Sequence, residues 1–286
     1  MSSEHAVSDK QRNIDPATVE GFGDEWARFD QSQLSDAECE EMFDAYFRIF
    51  PWTNLPALSE GFDLGSGSGR WARRVAPRVG LLHCVDASGK ALDVCRRQLS
   101  SSDNVVFHEA SVDAIPLPDA SQDFGYSLGV LHHIPDTAGA LKSCVEKLKP
   151  GAPFLLYLYY AFDQRSRWFR ALWRVSDVLR RGVSIQPDWL RSALSDLLAL
   201  FVYWPLARSA RLLELLGLRV GGVPLSYYRT LSFYTMRTDA RDRFGTRLEQ
   251  RFTRLQIESM MRDAGLEEIR FSESAPFWCA VGIRAE

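Results

Sequence analysis

The sequence predicts an α/β fold, a doubly wound and mostly parallel sheet with helices on both faces. Three observations predict it. Short apolar runs alternate with helical ones from residue 61 to 160, which favours parallel strands joined by right-handed crossovers. A turn with three alternating glycines, Gly65-Ser66-Gly67-Ser68-Gly69, separates the first apolar run from the first helix. Near the C-terminus, a capping box at Thr253-x-x-Gln256 opens a helix that Gly265 ends, and two short strands follow it.

In chain order, residues 1–17 are polar and charged and are expected to be disordered. Residues 22–29 are aromatic and too short for a domain. Ser35-x-x-Glu38 is a capping box for a helix with Met42, Phe43, Tyr46, Ile49 and Phe50 on one face; Pro51 stops it. The first crossover helix runs over residues 70–76, before Pro77. Residues 81–85 make a second buried strand that ends at Asp86, and 105–107 a third. Residues 123–128 form the fourth strand, closed by Gly129-Val130-Leu131-His132-His133-Ile134-Pro135. Asp136 caps a helix with Leu141, Cys144, Val145 and Leu148 inward. Lys149-Pro150-Gly151 then leads to a fifth strand at 154–160. After the capped helix, 269–271 and 277–283 form a closing hairpin with one antiparallel strand.

The Gly turn offers backbone N–H groups and a helix N-terminus to a ligand. A dinucleotide fingerprint needs Gly-x-Gly-x-x-Gly, and Arg70 stands where its third glycine would be. The third glycine comes one residue early, which disfavours a nicotinamide oxidoreductase. Asp86, at the tip of the second strand, suits hydrogen bonds to both hydroxyls of a ribose.

These motifs, in this order and spacing, resemble the class I S-adenosylmethionine (SAM) methyltransferases, in particular the ubiquinone/menaquinone-type small-molecule branch known as type 11. The resemblance covers residues 61–160 and, more loosely, 250–284. It implies a Rossmann-like, seven-stranded, mostly parallel sheet and SAM as cofactor, with S-adenosylhomocysteine as product. Carried over residue by residue, Gly65, Gly67 and Gly69 form the turn at the methionine part of SAM. Asp63 orients that turn or the amino group, and Asp86 with Ala87 holds the ribose. Ser111 and Val112 flank the adenine, Ser111 standing where many similar sequences have Asp. Gly129 and Leu131 line the sulfonium side. Trp26 and Arg28 close over the cofactor, Arg28 against its carboxylate. His132 and His133 are candidate general bases, set against a purely structural role for the loop. No metal site is expected, His5, His83 and His108 being isolated.

The resemblance implies methyl transfer to an O, N or C atom of a small or medium-sized biosynthetic substrate, anionic or amphipathic. The alternative is a protein of the same fold that binds SAM or its product without methylating, as a cyclase or lyase or a binding module. Composition adds bounds. The chain has 286 residues, 46% hydrophobic, with net charge −3, enough for a sizeable core. The first 20 residues do not read as a signal peptide, and no run reaches membrane-spanning length. The five cysteines are scattered without a C-x-x-C pair; Cys84, Cys144 and Cys279 read as buried thiols, and a reducing cytoplasm is expected.

Charge is unevenly placed. Residues 161–245 carry fourteen Arg, no Lys and seven acids, net +7, leaving −10 for the rest. This stretch is read as an inserted helical lid between two parts of the SAM domain, 18–160 and 246–286. Its apolar residues recur at helical spacing at Trp168, Leu172, Val175, Val178 and Leu179, and at Leu194, Leu197, Leu198 and Phe201. Tyr227, Tyr228, Arg229, Tyr234 and Arg237 are its candidate substrate residues. A lid over a small-molecule substrate is favoured. A dock for an anionic membrane surface comes second, nucleic acid third, and the chain is expected to be a monomer or homodimer.

Overall fold

The computed structural model describes residues 13–286. Its strands are β1 (Glu60–Leu64), β2 (Leu81–Asp86), β3 (Val105–Glu109), β4 (Phe124–Leu128), β5 (Pro153–Tyr157), β6 (Leu266–Phe271) and β7 (Cys279–Arg284). They form one sheet in the order β3-β2-β1-β4-β5-β7-β6. The first five are parallel, and β7 is antiparallel to both β5 and β6. The strand order reverses between β1 and β4, and open α/β sheets bind ligands outside the carboxyl ends of the strands at such a point.

Ten α-helices accompany the sheet among the described residues: α1 (Pro16–Arg28), α2 (Asp36–Phe47), α3 (Ala72–Val75), α4 (Gly89–Gln98), α5 (Thr137–Lys147), α6 (Arg167–Ser184), α7 (Asp188–Leu198), α8 (Trp204–Leu215), α9 (Phe233–Gly245) and α10 (Arg254–Asp263). Strand side chains alternate between two cores, as the pleat requires. Phe62, Leu64, Phe154 and Leu156 pack under α5 and α10. Leu82, Cys84, Phe124 and Tyr126 pack with α3, α4 and the aromatic face of α2.

At the sheet centre, two glycines make room for two phenylalanines. A Cβ at Gly61 would lie 2.3 Å from the Phe124 ring, and one at Gly125 would lie 2.5 Å from the Phe62 ring. Gly61 pairs with Phe124 and Phe62 with Gly125 across β1 and β4. Neither ring can move, since both are fully buried. Gly125→Ala is therefore expected to cost about 1–3 kcal/mol by overpacking, read as a lowered Tm.

The expected N-terminal tail divides. Residues 1–12 lie outside the described residues. Asn13 bonds to Asp136, the Asp15 carboxylate accepts the Thr18 N–H, and Pro16 begins α1, so residues 13–17 are ordered by capping. The aromatic segment at 22–29 forms the second half of α1 and its C-cap, Phe29. On α2, the Ser35 hydroxyl accepts the Glu38 N–H at 3.2 Å, but Glu38 does not complete the box. Its carboxylate accepts the Ser232 N–H at 2.9 Å and the Thr235 hydroxyl at 2.6 Å, tying α2 to the start of α9.

Between β5 and α10 the chain is helical, α6 to α9, with a π-helical turn at Ala199–Tyr203 joining α7 to α8. Its core is small: Ala199, Tyr203 and Ala207 against Met236, Ala240 and Phe244. The face of α6 on which apolar residues recur at helical spacing is exposed, with Trp168, Leu172, Val175, Val178 and Leu179 in solvent. Phe169, Trp173 and Arg180 point inward. Periodicity marks a stripe but not what covers it. The sequence expectation about spanning length is also corrected. Asp188–Leu215 is one continuous helix of 28 residues, long and apolar enough to cross a membrane by length and composition.

Candidate functional site

A cavity of about 1020 Å³ lies at the carboxyl ends of β1 and β4, under α1 and the helical insertion. A single ligand site usually measures about 300–1,000 Å³, so this cavity has room for two ligands side by side. One end is the Gly turn. The other is walled by aromatic residues, among them Tyr157, Tyr159, Trp173, Tyr203, Tyr227 and Tyr228.

The turn is built differently from the expectation. Gly65 N–H (2.7 Å) and Ser66 N–H (3.2 Å) bond to the Val85 carbonyl, Gly67 N–H to Asp86 at 2.8 Å, and Gly69 N–H to the Ser66 carbonyl at 2.8 Å. These four amides are spent on closing the turn. The helix after it begins only at Ala72 and has four residues, so a helix dipole contributes little. What the turn offers is close approach and two hydroxyls. Gly65 has φ +76°, and a Cβ there would meet Val130 at 2.3 Å. The hydroxyls of Ser66 and Ser68 are buried, line the cavity and have no partner.

Asp86 holds both sides of the site. One carboxylate oxygen takes the Gly67 N–H and the other the Ser88 N–H at 2.9 Å. Burial raises its pKa, opposed by these two bonds, with Glu109 adding to the rise. Ala87, Ser111 and Val112 line the cavity beside it. Gly129, at φ +82°, faces open space: a Cβ there would find only Tyr157, at 4.0 Å. Trp26 lies over the turn, its indole nitrogen 3.0 Å from where a Gly67 Cβ would sit.

Other sequence candidates lie elsewhere. Asp63 sits behind the turn, outside the cavity lining, with its pKa raised to about 8 by burial and held back by Tyr126. Gly69 packs against α4, where a Cβ at its position would meet the Cys95 sulfur at 2.9 Å. Leu131 is fully buried core. Arg28 points away from the cavity and pairs with Asp196 at 3.4 Å. Arg237 holds the same Asp196 with two bonds, at 3.0 and 2.8 Å. Tyr234 accepts the Gln31 N–H at 3.0 Å and packs on Phe29. Tyr227, Tyr228 and Arg229 do line the cavity, Arg229 paired with Glu214 at 2.9 Å.

The two adjacent histidines separate. His132 is fully buried outside the lining, stacked on Tyr159 at 3.9 Å between ring centroids. His133 lines the cavity. Its Nδ1 lies 2.6 Å from the Leu248 carbonyl. A carbonyl only accepts, so Nδ1 carries the proton and Nε2 is a free acceptor. Burial holds the His133 pKa down at about 4 despite that carbonyl. Nε2 faces Asp242 Oδ1 at 3.8 Å, and neither atom has a hydrogen-bond partner. The other oxygen of Asp242 accepts the Tyr159 hydroxyl. Asp242 is pushed up to about 6, chiefly by burial. Asp239, one turn earlier on α9 and next to Tyr228, is likewise pushed to about 6 by burial. His83 and His108 are not isolated: His83 bridges His108 and Glu60, each at 2.9 Å, on the far strands.

Sequence reasoning missed Glu25, Arg70, Asp239 and Asp242. Glu25 is buried in the cavity wall, its pKa raised well above normal by burial first and by Asp242 next. Arg70 stacks over Trp26 (5.8 Å) and Trp71 (5.5 Å) and lines the cavity. The signal for the aspartates was present: acids three residues apart on one helix face, inside a segment of otherwise basic charge.

Residues 62–156 match the family described as a methyltransferase domain. A ubiquinone biosynthesis O-methyltransferase of Aromatoleum aromaticum is 31% identical over 144 residues, covering 49% of this chain and 60% of that protein. The uncharacterized methyltransferase YcgJ of Bacillus subtilis is 31% identical over 101 residues, 35% of this chain and 40% of that protein. The matches thus span less than two thirds of these relatives. An O-methyltransferase family protein from Burkholderia thailandensis shares the fold, with TM-score 0.52 at 14% identity, over 94% of this chain and 60% of its own. Residues 62–156 therefore carry a methyltransferase domain of the class I, SAM-dependent kind, with the Gly turn and Asp86 inside a mostly parallel seven-stranded sheet.

Proposed function

We propose that the chain transfers a methyl group from SAM to the oxygen or nitrogen of a small acceptor bearing an O–H or N–H. The observation that carries this is the facing pair His133 Nε2 and Asp242 Oδ1, two partnerless acceptors 3.8 Å apart in the wall of the cavity that contains the Gly turn. Two acceptors cannot satisfy each other without a proton between them. An acceptor hydroxyl or amine supplies that proton.

The residues fit the cofactor. The ribose would lie on Asp86 and the adenine by Ser111 and Val112. The amino-acid end would meet the unpartnered hydroxyls of Ser66 and Ser68, with the Arg70 guanidinium taking the role that the resemblance gives to Arg28. SAM, when bound, supplies an electrophilic methyl on a sulfonium. The chain's own work is alignment, water exclusion and proton removal. The aromatic wall orients a flat or hydrophobic acceptor. Asp242, kept in place by the Tyr159 hydroxyl, takes the proton, and neutral His133 Nε2 accepts the second N–H of an amine acceptor. Glu25, Asp239 and Asp242 make an acceptor with a carboxylate of its own a poor match, while a neutral or protonatable one suits them. The finer expectation of an anionic substrate is thus set aside in favour of a neutral or amine-bearing one. All five cysteines are buried and unpaired, which supports a reducing, cytoplasmic setting.

The acceptor can be sought by mass spectrometry of ligands that co-purify with the chain. With that acceptor, kcat is expected to rise with pH through about 6, as Asp242 loses its proton. His133 stays neutral above about 4 and adds no second limb. A profile flat from pH 5 to 8 contradicts Asp242 as the base.

A further inference from the structure

The outer face of the helical insertion is apolar, and no part of the described chain covers it. On α6, Trp168, Leu172, Val175 and Leu179 lie on one stripe of the helix and all are exposed, Val175 at 62%. The continuous helix α7–α8 adds Leu197, Phe201 at 69% and Trp204. Soluble monomers seldom leave an apolar patch of this kind to water without a use for it.

Two observations say what covers it. The first is charge. Arg167 and Arg174 are exposed beside Val178 at the edge of the α6 stripe, and exposed Arg170 lies further round the helix. Among the described residues none of the three has an ion-pair partner, whereas Arg180 and Arg181 on the same helix share Asp177. An amphipathic helix with a Trp/Leu/Val face and a row of unpaired Arg matches a bilayer interface, where the apolar face sinks and the guanidinium groups meet phosphates. A second copy is a poor occupant, because a two-fold contact would set these Arg rows against each other. The second observation is the cavity mouth. Leu172 of α6, with Val202 and Leu206 of the α7–α8 helix, are exposed and also line the cavity. The cavity therefore reaches solvent through the apolar face itself.

We propose that this face docks on a lipid bilayer carrying anionic headgroups, and that an amphipathic acceptor passes from the lipid directly into the cavity. Asp188–Leu215 then lies along the surface and does not cross it, since its other face packs on α9 and Asp196 holds Arg237. Docking rests on the surface alone; the acceptor's route rests on the methyl-transfer reading above.

Vesicle flotation of the full chain tests it, using vesicles of phosphatidylcholine alone and of equal parts phosphatidylcholine and phosphatidylglycerol. The unmodified chain is expected to float with the mixed vesicles at low salt and not with phosphatidylcholine alone. The triple variant Arg167→Gln, Arg170→Gln, Arg174→Gln is expected to bind them roughly a hundredfold more weakly, at about fivefold per Arg. The double variant Val175→Glu, Leu179→Glu, which leaves the cavity lining untouched, is expected to lose at least tenfold. An unmodified chain that stays in solution with mixed vesicles overturns the proposal, as do variants that float like it. So does a dimer in sedimentation that the Val175→Glu, Leu179→Glu pair converts to monomer, since that names a second copy as the occupant. Calorimetry with SAM on the same samples separates the two proposals: flotation without SAM binding keeps the dock and refutes methyl transfer, and SAM binding without flotation does the reverse.

Discussion

Asp242→Asn is expected to lower kcat for methyl transfer by about 10²–10³-fold, the usual range for removing a general base. The amide keeps an oxygen for the Tyr159 hydroxyl, so the wall geometry survives. It cannot take a proton, and it places an N–H donor or a neutral oxygen opposite His133 Nε2. SAM affinity, set at the other end of the cavity, is expected to stay within about twofold, a margin well under 1 kcal/mol. Stability should move the opposite way. Burial raises Asp242 to about 6 from an ordinary 3.8. A group whose folded pKa is raised favours folding fully only below its unfolded pKa, and that contribution is lost as pH rises through the folded value. At pH 8 the ionised carboxylate therefore weighs against the fold, and Asp242→Asn is expected to stabilise by about 1–3 kcal/mol. Near pH 3.5 the gain should vanish. A variant that is slower but melts higher at pH 8 marks a residue kept for chemistry. One that is slower and melts lower marks a packing residue and removes Asp242 from the mechanism.

Asp86→Ala is expected to weaken SAM binding by about 10²–10³-fold. Its two oxygens take the Gly67 and Ser88 N–H groups, and hydrogen bonds to a charged acceptor contribute about 1.5–3 kcal/mol each. Without them the turn loses the brace that holds Gly67 under Trp26, and a ribose loses its acceptor. Asp86→Asn, which keeps one accepting oxygen, is expected to lose only about tenfold, roughly one such bond. Calorimetric titration with SAM distinguishes the two. Equal, small losses in both variants would show that the ribose lies elsewhere.

Much of this was readable from residues alone, and the misreadings share one physical origin. The strands, the caps at Asp136 and Thr253 and the closing hairpin follow from local rules, since capping and alternation act within a few residues. The Gly turn and Asp86 were legible because spacing fixes their geometry. Pairings between distant segments were not. Arg28 and Arg237 read as cofactor and substrate ligands, but Asp196 on α7 claims both. Tyr234 is taken by Gln31 and Phe29. His132 and His133 share one tight turn with their rings 4.0 Å apart, yet only His133 reaches the cavity. On α6, the apolar stripe was visible but its direction was not, because a stripe looks the same against a core or a bilayer. Asp239 and Asp242 were hidden by their setting, a helix whose other face is the insertion's core.

The account stands on the Gly turn and Asp86 forming a SAM site in the same cavity as the aromatic wall. Titration of SAM into the purified full chain tests this most directly. The account predicts saturable binding of one SAM per chain, displaced by S-adenosylhomocysteine and lost in Asp86→Ala. Absence of binding by the unmodified, folded chain would contradict it.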